Sequence, residues 1–375
     1  MKINGTEYEM VMTDRTPEEI GNKFKRILED KGKPEDITEL LSHYPSLPGF
    51  VGPYLLAIYF KCFDRSRKAA DLMDEAISKL QSDSVSSSSK DIVDQATYHI
   101  ISEPFLKQLW PQAGEIYANV ERFDDSVEAY KQSQLYHCRI KGDKVTSGLL
   151  SFRPISKYAL SDLINNQLTV CSPRVMNDPF DTLLLSWGDY HLKSKQERKY
   201  IVPYVKSMDY FRIRSFSRIP KEEGGKRILS NVLMWSHYAD NHYGMCIDYR
   251  FSEGFTKTDD QRVLRFRNVI YKPIEEQVSL DIPKINTDLS LLTKMDAWVY
   301  EDEVRLISYI PDVEGQFVPI DLDSESCIKS IYFGLRCPDR DMATVRNILK
   351  GRNVHFFQMR PNPTDVFNPI IDSVD

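Results

Sequence analysis

Five stretches beyond residue 150 combine residue types that can do chemistry. Ser151-Phe152-Arg153 puts a cation at the end of a short β-like run, and Ser215-Phe216-Ser217 closes another. Period-two alternation sets both serine hydroxyls on one face of that strand. The third stretch, Lys294 to Ile307, holds Trp298-Val-Tyr300-Glu301-Asp302-Glu303-Val-Arg305. Read as a strand, it presents Glu301, Glu303 and Arg305 on one face and Trp298, Tyr300 and Asp302 on the other. Carboxylates about 7 Å apart on one face repel each other. Either they are solvated and compensated by Arg305, or they form a pocket floor where repulsion and burial push one pKa upward.

The remaining stretches are loop-like and helical. Asn177-Asp178-Pro179-Phe180-Asp181 is strong turn chemistry, and its two carboxylates and amide also suit a ligand rim. Met234-Trp235-Ser236-His237-Tyr238 continues through His242 to Cys246. On a helix, positions five apart diverge by about 140°, so His237 and His242 do not form the i, i+4 pair of metal helices, and no metal is expected. His237 is expected to line a pocket or hydrogen-bond across the domain, with Met234, Trp235 and Tyr238 packing.

Helices and short strands must position these groups. Residues 16–145 carry helical patterning throughout. Trp110, Ala113, Gly114 and Tyr117, followed by Phe123, Ser126 and Tyr130, resemble the tetratricopeptide pattern, with Ala113 in place of Leu and Ser126 in place of Ala. Gly114 and Ala113 would let two antiparallel helices approach, with Trp110, Tyr117, Phe123 and Tyr130 filling the space between them. Ala57, Phe60, Ala69, Met73 and Ala76 repeat the spacing more faintly. Ser84 to Lys90 reads as a polar loop, followed by a helix from about Asp91 to Ile101. Such arrays of helical hairpins serve as binding surfaces, so a protein or peptide partner is expected there; the alternative is a cap on the second domain.

The pattern changes near Lys141–Lys144. Beyond it come β-like runs at Leu168–Cys171, Arg262–Tyr271, Trp298–Tyr309, Ile331–Phe333 and Val354–Phe357. Helices are expected at Asn231–His242 and Asp339–Lys350, and residues 328–358 read as one βαβ crossover. The expected architecture is α+β: an all-α domain over 1–145 and a mixed α+β domain over 146–375.

The 375 residues carry 49 basic and 55 acidic groups, a net charge of −6. This bulk balance lacks the basic excess of a duplex-binding surface. No apolar run reaches the length of a membrane span, and Met1–Gly5 lacks the apolar core of a secretory leader. A cytoplasmic protein is therefore expected, and its six scattered cysteines read as buried free thiols.

Taken together, the blocks N-D-P-F-D, S-F-S, M-W-S-H-Y-A and W-x-Y-E-x-E-x-R resemble a widespread bacterial family of uncharacterised domains, over about residues 150–358. More distantly, the order Arg153, Ser215-x-Ser217, Glu301-x-Glu303 is similar to the Arg…Ser-x-Ser…Glu-x-Glu set of mono-ADP-ribosyltransferases. That resemblance implies an ADP-ribosyltransferase-like second domain with NAD as substrate. Glu303 would stabilise the oxocarbenium-like cation, and Glu301 would orient or deprotonate the acceptor. Arg153 would pair with the diphosphate, while Ser215 orients the catalytic glutamate. Ser217, Asn177, Asp178, His237, Tyr238, Tyr300 and Arg305 complete the expected substrate-binding set. A helical sensor joined to such a module would suit a bacterial defence or toxin system. Two rival readings stand beside it: a non-catalytic helical-repeat adaptor, and a nuclease or other hydrolase using His237 with Asp178 and Asp181.

Overall fold

A computed structural model describes residues 2–3, 6–7, 16–87, 92–140, 142–143, 148–178, 181, 195–219, 226–252, 255–256, 263–273, 291–310, 314–365 and 368–374. Pro179, Phe180 and the expected domain boundary at 145/146 lie outside the described residues. The chain is α+β and divides into two compact units. One comprises residues 1–136 with 192–207, the other residues 137–191 with 208–375.

The first unit opens with a short antiparallel strand pair, β1 (Lys2–Ile3) and β2 (Thr6–Glu7). Helices α1 (Thr16–Glu29), α2 (Pro34–Ser42), α3 (Val51–Cys62), α4 (Ser66–Ser87), α5 (Ile92–Asn119) and α6 (Phe123–Ile140) follow. Pro34 starts α2, where its missing N–H costs nothing, and the Asp36 carboxylate accepts from the Lys33 N–H at 2.6 Å. Helix α3 is apolar on most sides and buries Tyr54, Leu55, Ala57 and Phe60 at the centre of this unit. Ala69, Met73 and Ala76 of α4 are buried in the same cluster, so the faint sequence spacing marks a true core. The expected polar loop is in part helix, because α4 runs through Ser87; α5 is also far longer than expected and contains Pro104 and Pro111.

Helix α6 turns back on α5 where their side chains are smallest. A Cβ on Gly114 would lie 2.6 Å from the Tyr130 ring, and Ser126 Oγ donates to the Gly114 carbonyl at 2.7 Å. Tyr117 and Tyr130 are each 4% exposed. The expected four-aromatic cluster is nevertheless incomplete. Trp110 is only partly buried, and Phe123 is 45% exposed because it begins α6 at the tip of the hairpin. Helix α8 (Lys195–Ser207), which the chain reaches only after residues 137–191 of the other unit, closes this one. Its Tyr204 packs edge-on to Tyr130 at 5.4 Å, and Ser207 accepts from Gln134 at 2.7 Å.

The second unit is built on a mixed sheet. Its elements are β3 (Leu149–Arg153), α7 (Lys157–Asn165), β4 (Gln167–Cys171), β5 (Phe211–Arg218), α9 (Lys226–Leu229), α10 (Val232–Tyr238), β6 (Met245–Tyr249) and β7 (Val263–Asn268). Then come β8 (Ile270–Lys272), β9 (Thr293–Met295), β10 (Glu303–Tyr309), β11 (Phe317–Asp321), β12 (Ile328–Phe333), α11 (Asp339–Ile348), β13 (His355–Arg360) and β14 (Ile370–Ser373). The strand order is β11-β4-β5-β3-β6-β12-β13-β14, with β10 and β7 branching from β5. Strands β12 and β13 are parallel, as a βαβ crossover requires. Strand β5 pairs along seven residues with β10. On its other side it meets β3 only at Leu149↔Arg218 and Leu150↔Ser217, and β4 only at Cys171↔Ile213. Beyond Leu150, β3 follows β6 instead, from Leu149↔Tyr249 to Arg153↔Met245. The sheet therefore splits between Ser151–Arg153 and Arg214–Phe216.

Two local expectations are corrected here. The run from Trp298 is not continuous strand: Asp296–Glu301 is a 3-10 helix, Asp302 adopts a left-handed conformation (φ 40°, ψ 57°), and β10 begins at Glu303. The expected helix Asn231–His242 is confined to Val232–Tyr238, because Asp240, Asn241 and His242 all take positive φ. Asp and Asn tolerate that region better than most residues. Among the described residues no helix is long and apolar enough to cross a membrane. The six cysteines are free; Cys62 is exposed and Cys171 half-buried, unlike the buried thiols expected.

Candidate functional site

The split in the sheet opens into a cavity of about 420 Å³. Three strands feed it. Strand β3 brings Arg153, β5 brings Ser215 and Ser217, and β10 brings Glu303, which stands directly across from Ser217. Glu301 reaches the same cavity by a route alternation does not describe. The 3-10 turn and the left-handed Asp302 fold it back, and the Lys294 ammonium clamps both carboxylates, at 2.6 Å from Glu301 and 3.2 Å from Glu303.

Helix α10 supplies the wall opposite. Asn231 caps it by accepting from the Leu233 N–H at 3.0 Å. Fully buried Trp235 anchors it, donating to the Leu229 carbonyl at 2.6 Å and packing edge-on to Phe152 at 5.1 Å. His237 and Tyr238 thereby line the cavity. Tyr238 Oη donates to Glu301 at 2.5 Å, and the Asn177 amide lies 3.4 Å from that same phenol oxygen. Gly244 is required at the next turn, since a Cβ there would lie 2.4 Å from the Arg153 carbonyl.

Of the residues expected from sequence, Arg153, Ser215, Ser217, Glu301, Glu303, Asn177, His237 and Tyr238 line this one cavity; Asp178, Tyr300 and Arg305 do not. Arg305 is 0% exposed, so it cannot touch a ligand. Its guanidinium instead pairs with Glu303 at 2.7 Å and Asp181 at 2.5 Å, and donates to the Leu291 carbonyl at 2.6 Å. Tyr300 lies behind the glutamates, in a neighbouring cavity of about 500 Å³ that shares Glu303 as a wall. Its hydroxyl is 3.4 Å from His237 Nδ1. Asp181 is buried against Arg305 and Lys294, not beside His237 in the cavity.

Charge is arranged in two poles. At one pole, burial raises the Glu303 pKa, but Arg305, Lys294 and a Ser215 hydrogen bond outweigh it and hold the carboxyl at about 2. Glu303 is thus an anion at any physiological pH. Burial and neighbouring Glu303 raise the Glu301 pKa against the opposing pull of Lys294. Lys294 itself is desolvated, yet three carboxylates raise its pKa, and its ammonium sits 4.9 Å over the Trp298 ring. At the other pole, Arg153 pairs with Asp162 at 2.8 Å. Asp162 is itself fixed by the Thr169 hydroxyl at 2.6 Å. Beside it Arg214 donates to Ser151 Oγ at 2.6 Å.

Sequence reasoning missed Lys294 and Arg214 as site residues. Arg214 alternates away from Ser215 and Ser217, so only the splay of β3 from β5 brings it to the cavity. Lys294 precedes Glu301 by seven residues, and only the 3-10 turn returns one to the other. The His237, His242 and Cys246 trio is not assembled. His242 stacks on Trp235 at 5.8 Å, and Cys246 is buried in the cluster around Phe152 and Trp235. Among the described residues no group of three or more His, Cys, Asp or Glu side chains is placed to hold a metal ion.

Residues 234–306 match the model of an uncharacterised domain family, described as a protein of unknown function (DUF2971). That span runs from the anchor of α10 through both glutamates to the middle of β10. No curated protein and no solved structure matches the chain.

Proposed function

We propose that the second unit is an NAD-dependent ADP-ribosyltransferase, with hydrolysis of NAD as the variant in which water is the acceptor. The observation that carries this reading is the meeting of Arg153, Ser215 and Glu303 in one cavity, from three strands spread over 151 positions of sequence. The two-pole charge supports it further, because NAD carries a cationic pyridinium ring and an anionic diphosphate.

In this reading the bond between ribose C1 and the pyridinium nitrogen breaks, and both its electrons leave with neutral nicotinamide. The cation left on the ribose is stabilised by ionised Glu303, which Ser215, Lys294 and Arg305 hold in place. An acceptor hydroxyl or amine then attacks C1 and gives its proton to Glu301; where water is the acceptor, its proton passes to solvent and Glu301 is not needed. The raised pKa of Glu301 makes it a better proton acceptor than an exposed carboxylate. The helical unit is proposed as the module that binds a protein or peptide activator.

The test is nicotinamide release from NAD by the full chain, with and without cell extract. Release that requires Glu303 supports the reading. A protein that neither binds nor consumes NAD under both conditions overturns it.

A further inference from the structure

Two arginines border the cationic pole of the cavity, and they differ in how far their charge is already satisfied. Arg153 is neutralised by Asp162, whose other oxygen is fixed by Thr169. Arg214 has no such direct partner: among the described residues no carboxylate lies within ion-pair distance, and Asp162 acts on it only at longer range, against repulsion from Arg153. The Arg214 guanidinium donates instead to the neutral Ser151 hydroxyl at 2.6 Å. Its Nε is buried and has no hydrogen-bond partner. The guanidinium is thus less fully satisfied than that of Arg153, and the half-buried side chain lines the cavity, where a ligand can meet its terminal N–H groups.

We propose that Arg214, rather than Arg153, is the principal receptor for the anionic part of the ligand, which on the reading above is the diphosphate of a dinucleotide. Arg153 then shapes the pole through Asp162, and Arg214 supplies the free charge. Burial lowers the Arg214 pKa, yet only to about 10, so the group meets its ligand as a cation at neutral pH. A guanidinium is suited to this task because its fork of N–H donors matches phosphate oxygens two at a time. The splayed strands leave its place open, since Ser151 and Arg214 face one cavity and are not paired across a ladder.

The experiment is calorimetric titration of the full chain with ADP, and with adenosine as the phosphate-free control. Wild-type protein should bind ADP at least tenfold more tightly than adenosine. Arg214→Gln should weaken ADP binding about 10–100-fold, the scale of a charge-assisted hydrogen bond, and leave adenosine binding unchanged. Arg214→Lys should recover part of the loss. ADP binding that ignores Arg214→Gln, or a wild-type protein that does not distinguish ADP from adenosine, overturns the proposal. The adenosine comparison needs no variant, so a wild-type protein that fails it overturns the proposal even if Arg214→Gln does not fold. In that case Arg214→Lys, which keeps the charge, carries the assignment to Arg214 by its weakened ADP binding and unchanged adenosine binding. Failure here is distinct from failure of the transferase reading. Arg214-dependent ADP binding without nicotinamide release removes only the transferase. NAD consumption with an unchanged KM in Arg214→Gln removes only the arginine.

Discussion

Lys294 and Glu301 form an ion pair at 2.6 Å with side chains only 3% and 5% exposed, and the same ammonium reaches Glu303. Removing one partner of a buried pair leaves the other charge uncompensated, which typically costs about 3–5 kcal/mol. Lys294→Met is therefore expected to destabilise the second unit by about that amount in urea unfolding. Adding Glu301→Gln to it should restore a measurable part, because the second substitution removes a stranded charge. Strictly additive losses would contradict the pairing.

Glu303→Gln keeps the shape of the side chain and removes its charge. If that charge stabilises the ribose cation, nicotinamide release should fall about 10²–10³-fold while NAD binding persists. Glu301→Gln should spare plain NAD hydrolysis and selectively reduce transfer to an acceptor. Release and transfer measured on one preparation separate the two roles.

The acid limb of stability should carry the Glu303 signature. Its folded pKa of about 2 lies below the ordinary glutamate value of about 4.3. The folded state therefore binds that proton less readily than the unfolded chain. The stabilisation is complete above about pH 4.3 and is lost as pH falls towards 2. Glu301, raised by burial, acts in the opposite sense, favouring the fold at low pH. Thermal melts of Glu303→Gln at fixed ionic strength should show a shallower loss between those pH values than wild type. An equally steep limb would mean that Glu303 is not paired in solution.

In the helical unit, Gly114→Ala forces a methyl group to within 2.6 Å of the Tyr130 ring. Overpacking of this kind costs about 1–3 kcal/mol, despite the better helix propensity of alanine. Trp110→Ala should cost less than the 3–5 kcal/mol of a fully buried aromatic, because Trp110 is only partly buried. Chemical denaturation of the two variants should rank them in that light.

Much of this arrangement was legible in the residues. The α+β class, the 328–358 crossover, and the place of Gly114 against Tyr130 follow from spacing alone. Alternation along β5 put Ser215 and Ser217 on one face, and both line the cavity. What failed was the assumption that one regular element carries both glutamates. A left-handed Asp302 lies between them, and no hydrophobic period announces such a residue. Arg305 was legible as a compensating charge but not as a buried one, since burial depends on Asp181 and Leu291, which are remote in sequence. Arg214 and Lys294 escaped notice because strand splay and a 3-10 turn are properties of pairing, not of local pattern.

The parting of β3 from β5 after Leu150 has a consequence for how the cavity can be probed. Each strand keeps its ladder on the far side, with β6 and β10 respectively, and turns an unladdered rim towards the other. These rims are sheet edges inside the molecule, out of reach of the intermolecular strand addition that exposed edges invite. Main-chain amide and carbonyl groups on such rims are free of the β3–β5 ladder and can pair with a ligand. A ligand that satisfies them is held by main chain common to every variant at those positions. Alanine scanning of the cavity will therefore account for less than the whole affinity, and the shortfall measures what the backbone contributes.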